Sequence, residues 1–283
     1  VLYCKVLILL WKMNKMDPTP ATSSALPKVL IVHVPYEHRG GEDVHVDALV
    51  RGYQRIGVTP IVYPEDRNSP QKLLGKALRS LLPSNELPEL EQLWRAHKPK
   101  YIHLHNVFPV LGPRFFRWAI ENEVPLVMTV HNHRFFCTNG LALRDKKICK
   151  DCFDSKVAWR PILYNCNGSW IKSIYHAAAL TELRLGDLYA RAIRRFVAPS
   201  PYLQAELVRL GLPKERVVHI LNPVFWAETN TSSSTNEQVR YDVLYAGRLS
   251  HEKGISELLA AAKLLPNVSF VIAGDGPKRA EVE

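Results

Sequence analysis

Apolar residues fall into short continuous runs separated by stretches of helical spacing. Residues 28–34, Lys-Val-Leu-Ile-Val-His-Val, read as a strand buried on both faces of a parallel sheet. After Gly40-Gly41-Glu42-Asp43, the apolar positions Val46, Leu49, Val50, Tyr53 and Ile56 keep a helical period until Gly57 stops it. Residues 59–63 predict a second strand, 73–82 and 87–97 helices, and 101–106 a third strand that delivers His105 and Asn106 to its carboxyl end. Phe115, Phe116, Trp118, Ala119 and Ile120 form a helical aromatic stripe of the kind that fills a core. A fourth strand over 125–130 ends in Thr129-Val130-His131-Asn132-His133; helices over 171–195, a strand over 195–198, a helix over 201–210 and a strand over 217–221 follow. Strands alternating with helices predict a doubly wound α/β domain whose ligands collect at the strands' carboxyl ends.

A second unit of the same kind begins near residue 240. The strand 242–246 runs into Gly247-Arg248-Leu249-Ser250-His251-Glu252-Lys253-Gly254. A helix with Ile255, Leu258, Leu259, Ala262 and Leu265 on one face comes next, and a strand over 268–273 stops at Gly274-Asp275-Gly276-Pro277. This is a βαβ unit. Arg248 offers a planar fork of donors and Lys253 a point charge, and the flanking glycines admit a close backbone approach. Such a loop suits a diphosphate at a helix N-terminus, although an Arg and a Lys in a strand-to-helix loop are more often just a solvated surface. Gly40-Gly41 has the same two readings, a phosphate or sugar pressed against backbone N–H groups or a tight turn without a ligand.

Composition and charge narrow the partners. With 283 residues, 47% hydrophobic and 23% charged, the chain is long enough for two domains and is not of the disordered class. A net charge of +10 points to anionic partners: nucleic acid, a phosphorylated substrate or an anionic membrane surface. Residues 1–27, rich in Pro, Thr, Ser and Ala after a short apolar run, are expected to be a disordered leader; the run is too short to span a bilayer. The polar tract within 225–239 reads as a linker between domains at 28–224 and 240–283. Five cysteines are too few for a disulfide scaffold of this size and point to a reducing cytoplasm. Four of them, Cys137, Cys149, Cys152 and Cys166, follow one another as Cys-x11-Cys-x2-Cys-x13-Cys around a polar segment read as strandless. They are candidate ligands of a structural zinc, or simply small buried apolar side chains.

Taken together, Gly-Arg-Leu-Ser-His-Glu-Lys-Gly (247–254) and Ala-Gly-Asp-Gly-Pro (273–277) closely resemble the nucleotide-sugar-binding half of the family 4 retaining glycosyltransferases of GT-B fold. Gly40-Gly41-Glu42-Asp43 after the first strand is similar to the same family. The resemblance covers residues 28–283 and implies an α/β GT-B architecture of two Rossmann-like domains. It also implies a retaining hexosyltransferase that moves a sugar from a nucleotide diphosphate sugar to a hydroxyl of a cell-surface polysaccharide or lipid-linked glycan. Arg248 and Lys253 would grip the donor pyrophosphate, Gly40, Gly41, Gly274 and Gly276 would line the donor, and His131 would approach the donor sugar, with His105 and His133 in acceptor or supporting roles. The donor would lie between the two glycine-bearing loops. There is no Asp-x-Asp motif, so no cofactor is expected for catalysis, and leaving-group charge falls to Arg248, Lys253 and helix dipoles. The thiol loop, with His131-Asn132-His133-Arg134 before it and Gly168-Ser169 after it, resembles a bacterial polysaccharide branch of the family. That implies a cytoplasmic protein, peripheral at the inner membrane face. The family's later paired-glutamate motif is absent, so the second domain is expected to be incomplete and the chain an inactive fragment. The rival reading is a basic, zinc-containing nucleic-acid-binding module without catalysis. Against it, the aromatics do not interleave with the basic clusters, and no nucleic-acid partner is expected.

Overall fold

The structure, a computed structural model, describes residues 26–35, 40–64, 87–108, 110–223 and 241–283. The expected leader through residue 25, the helix at 73–82 and the linker at 225–239 lie outside the described residues. The chain separates into two units, Val1–Phe225 and Trp226–Glu283.

The first unit is built on six strands: β1 (Lys28–Val32), β2 (Thr59–Tyr63), β3 (Ile102–Leu104), β4 (Leu126–Thr129), β7 (Ile193–Ala198) and β8 (Val217–His219). They pair in the order β2-β1-β3-β4-β7-β8, all parallel. Because the chain first steps outward to β2 and then returns to the far side of β1, the order reverses between β1 and β3, and a crevice opens there at the carboxyl ends. Alternate residues of β1 enter opposite layers. Leu30 and Val32 pack with Ile102, Leu104, Phe115, Phe116 and Trp118, whereas Val29 and Ile31 pack with Val46, Leu49 and Tyr53. The second layer is covered by α1 (Gly41–Arg55), whose buried face carries those three residues. The first is covered by α3 (Gly112–Glu121), which follows α2 (Pro88–His97) and buries the aromatic stripe.

Between β4 and β7 the structure departs from expectation. The stretch read as strandless contains a small antiparallel hairpin, β5 (Leu143–Arg144) with β6 (Lys147–Ile148). Its two-residue turn places Asp145 and Lys146 at φ of 51° and 63°, the left-handed pair that matches strand twist in a tight hairpin. Asp-Lys carries no glycine or asparagine, so the usual hairpin signal is missing. Next come α4 (Arg160–Leu163), α5 (Trp170–Leu185) and α6 (Leu188–Ala192), with a break at Asp187, φ 48°. β7 therefore starts at Ile193, two residues before the expected strand, and α7 (Pro201–Arg209) is capped by the Ser200 hydroxyl, which accepts from the Leu203 amide.

The second unit has two parallel strands, β9 (Val243–Ala246) and β10 (Phe270–Ala273), joined through α8 (Ile255–Leu264) and followed by α9 (Arg279–Val282). Among its described residues only Leu249, Ser250 and Ile255 are buried, while Leu244 and Leu264 are 68% and 81% exposed. With so little apolar burial, this unit is expected to open locally at low free energy. Hydrogen exchange should show amides of 243–246 and 270–273 exchanging far faster than those of β1, β3 and β4, which should open only with global unfolding.

Candidate functional site

The carboxyl edge of the first sheet gathers five histidines. His33 follows β1, His103 and His105 lie in and just after β3, His131 follows β4, and His45 comes from the first turns of α1. His45, Leu49 and Tyr53 are spaced by four residues, which puts them on the one helix face that meets the sheet. Ring centroids of His45 and His131 are 4.6 Å apart, those of His103 and His105 4.6 Å, and those of His105 and His131 5.2 Å. His105 Nδ1 and His131 Nε2 share a hydrogen bond of 2.9 Å. His33 Nε2 donates to Asp43 Oδ1 at 3.0 Å, and Asp43 Oδ2 accepts from the Gly40 amide at 2.7 Å. The Gly40 amide, expected to face a ligand, is thus held by Asp43; a Cβ added at Gly41 would meet open space. Asn106 Nδ2 donates to the carbonyls of Val34 and Phe108, tying the ends of β1 and β3 together, and Asn132 Nδ2 donates to Glu42 Oε1 at 2.7 Å. A cavity of about 20 Å³ lies among His105, Asn106, His131, Asn132, Glu42 and Arg134.

Two kinds of histidine are present. His103 is satisfied on both sides, by the Tyr53 hydroxyl at 2.9 Å and the Thr129 hydroxyl at 2.9 Å, and is structural. By contrast, His33 Nδ1, both nitrogens of His45 and His105 Nε2 are buried without a hydrogen-bond partner among the described residues. Burial, reinforced by the neighbouring imidazoles, lowers His103 to about 3 and pushes His105 and His131 well below the ordinary value. Burial and the positive potential of His33 lower His45 to about 4, although Asn222 lies close enough to act the other way without hydrogen-bonding either ring nitrogen. Burial would raise the Asp43 carboxyl, but hydrogen bonds from His33 and the Gly40 amide outweigh it and hold the group below its usual range. His45, His103, His105 and His131 are therefore uncharged at neutral pH, able to donate and accept hydrogen bonds to hydroxyls. One nitrogen each from His45, His105 and His131 also lies within 4.8 Å of the others, a spacing that a metal ion can bridge.

Of the residues expected here, His131 and His105 meet, and His133 does not join them. It packs instead against Phe153 and Tyr202. His33, His45 and His103 were missed by the sequence reading. The available signal was a histidine on an apolar helix stripe and two at alternate positions of one strand end.

In the second unit, Gly247-to-Gly254 and Gly274-to-Pro277 are laced together at the carboxyl ends of β9 and β10. The Gly247 amide donates to Ala273 O, Leu249 N to Asp275 O and Lys278 N to Leu249 O, each at 2.9 Å. A Cβ at Gly274 would stand 1.9 Å from Gly247 O, and one at Gly276 2.4 Å from Leu249 O, so both glycines are demanded by this backbone contact itself. The Ser250 hydroxyl donates to Glu252 at 2.6 Å, and Gly254, φ 71°, turns the chain into α8. Arg248 and Lys253 project from the loop as exposed side chains.

The thiols of Cys137, Cys149, Cys152 and Cys166, all unbridged and half-buried, line one cavity of about 20 Å³. Burial and the adjacent thiols push Cys152 up to about 11, so it stands as a neutral thiol.

A doubly wound sheet with polar side chains converging at its switch point, followed by a βαβ unit with a basic glycine loop, defines a GT-B glycosyltransferase architecture. The model of Glycosyltransferase Family 4 matches residues 39–225, and that of Glycosyl transferases group 1 matches 228–283. The chain belongs to glycosyltransferase family 4. It is 26% identical over 189 residues to a 2-deoxystreptamine N-acetyl-D-glucosaminyltransferase of Niallia circulans, covering 64% of this chain and 42% of that protein. Its fold is similar to that of Anabaena Alr3699/HepE, solved in complex with UDP and glucose, with a TM-score of 0.50 at 16% identity, over 90% of this chain and 64% of that one. The chain thus spans less than two thirds of the length of these relatives. The reading as a nucleic-acid module is not favoured.

The neutral histidines carry a pH dependence. The unfolded chain protonates each at about 6.5, the folded one only near 3 for His103. Their stability is therefore fully present above that range and lost as pH falls toward the folded value. At pH 5 the loss from His103 alone is on the order of 2 kcal/mol. Urea unfolding of His103→Gln at pH 7.5 and pH 5 should show that much less acid destabilisation than the parent.

Proposed function

We propose that this protein transfers a sugar from a nucleoside diphosphate sugar to a hydroxyl of a cell-surface polysaccharide or lipid-linked glycan, with retention at the anomeric carbon. The observation that carries the reading is the exposed Arg248 and Lys253 on a glycine-bounded loop before α8, in a chain whose two halves both match glycosyltransferase models. A planar guanidinium and an ammonium beside a helix N-terminus suit a diphosphate leaving group, because they neutralise the charge that grows as the glycosidic bond breaks. The first unit supplies His131 and His105, uncharged imidazoles suited to hydrogen-bonding sugar hydroxyls. Same-face attack fits this equipment: no residue here needs to act as a carboxylate nucleophile, and the leaving phosphate takes the acceptor's proton.

Each charge-assisted contact to the diphosphate is worth about 1.5–3 kcal/mol. Calorimetric titration with UDP and GDP should find one of them bound, and Arg248→Ala should weaken that binding roughly tenfold or more. Arg248→Lys should fail to restore it, since the fork is lost. Unchanged affinity in Arg248→Ala, or tighter binding to oligonucleotides than to either nucleotide, would remove the loop from the donor site.

We further propose that the protein works peripherally at the cytoplasmic face of the inner membrane. No helix of the described residues is long and apolar enough to cross a membrane. An apolar groove of about 740 Å³ between residues 157–162 and α5 is rimmed by exposed Trp159 and Ile174, with exposed Trp170 and Ile171 nearby. Lys156 and Lys172 are exposed beside it, which matches an anionic lipid surface. The protein should sediment with phosphatidylglycerol-containing vesicles and not with pure phosphatidylcholine. Salt and the pair Trp159→Ala, Trp170→Ala should each release it.

A further inference from the structure

Four thiols spread over residues 137–166 line one cavity. Cys137 follows the 3-10 turn His133–Phe135, Cys149 and Cys152 bracket the turn after β6, and Cys166 follows α4. The cavity they line has room for about one water-sized body.

Little else holds this segment together. Its only sheet is the four-residue hairpin β5–β6, and its apolar anchors are Phe135, Phe136, Ala142, Phe153 and Ala158. A connection of this length whose own elements are one four-residue hairpin and one four-residue helix calls for another constraint. The backbone is nevertheless set around the thiols. Arg184, from α5, donates to Cys152 O at 2.7 Å and to Phe136 O at 3.1 Å, fixing the segments of Cys152 and Cys137 against each other. Arg144 and Arg160 line the same cavity, and both bond to Asp151, Arg144 through the carboxylate at 2.8 Å and Arg160 through the carbonyl.

We propose that Cys137, Cys149, Cys152 and Cys166 bind one structural zinc ion. Four soft ligands complete the closed tetrahedron of a structural zinc site, with no open position for chemistry. A zinc ion with four thiolates carries a net charge of −2 (+2 with −4); Arg144 and Arg160 line the cavity together with Asp151, and Arg184 reaches the Cys152 carbonyl. Three ligand atoms already within 4.8 Å of one another occur among the described residues at His45, His105 and His131, and not among the sulfurs. In a zinc tetrahedron with bonds of about 2.3 Å the sulfurs stand about 3.8 Å apart, so the ion draws them inward by side-chain rotation. The histidine set is the weaker ligand: it has only three nitrogens, and His105 and His131 are already bonded to each other. The zinc fastens the loop that leaves His131, and so steadies the wall of the candidate sugar site.

The test uses the intact 283-residue chain, purified in reductant without chelator. Elemental analysis should find about one zinc per chain. X-ray absorption at the zinc edge should show four sulfur neighbours, and cobalt exchange should give the sulfur-to-cobalt charge-transfer bands of a tetrahedral thiolate site. Cys152→Ser and Cys166→Ser should each abolish the metal content, while His131→Gln should leave it unchanged. The absorption spectrum of the parent protein decides the matter even where a cysteine variant does not fold. A metal-free protein that takes up no cobalt, the four thiols recovered as disulfides, or a metal lost with His131 and kept in the cysteine variants would overturn the proposal.

Discussion

The site depends on the burial of β1, β3 and β4 on both faces of one parallel sheet. Strands covered on both sides admit a polar side chain along their length only when it is fully bonded, as His103 is, so groups that could face a ligand are displaced to their carboxyl ends. His33, His105 and His131 are the first polar groups beyond those strands, and α1 completes the set with His45 because Val46, Leu49 and Tyr53 must face the same sheet. The apolar pattern that makes the core therefore also chooses which histidines meet.

Histidines brought together in this way cannot all be charged. The low dielectric and mutual repulsion hold His45, His103, His105 and His131 neutral, which turns a potential acid–base site into a hydrogen-bonding one. The second unit divides the labour differently. Its charged groups, Arg248 and Lys253, stand in solvent on a loop whose shape is fixed by backbone bonds to the Gly274 loop. The glycines there serve the protein's own crossing of two loops, and only through it the placing of the cations.

Much of this was legible from periodicity. Strands β1, β2 and β4, the helices α1, α2 and α7, and the burial of Phe115 and Phe116 follow from two-residue and 3.6-residue patterns that local physics obeys. His131 was legible as a strand-end residue. What escaped was of two kinds. The β5–β6 hairpin turns on Asp145 and Lys146 in left-handed conformations that neither residue advertises. His33, His45 and His103 acquire meaning only from contacts across ten or more positions of chain, as when His45 meets His131. Neighbour relations of that range are set by topology and carry no periodic trace.

The single hydrogen bond between His105 Nδ1 and His131 Nε2 has a further effect. One proton lies between two neutral rings, and its position dictates the tautomer of both. When His105 donates, its outer nitrogen Nε2 is an acceptor and the outer nitrogen of His131 carries hydrogen; when His131 donates, both outer roles invert. A partner at the outer nitrogen of His131 therefore sets the tautomer of the buried His105 as well, and the pair stays electrically neutral while it does so.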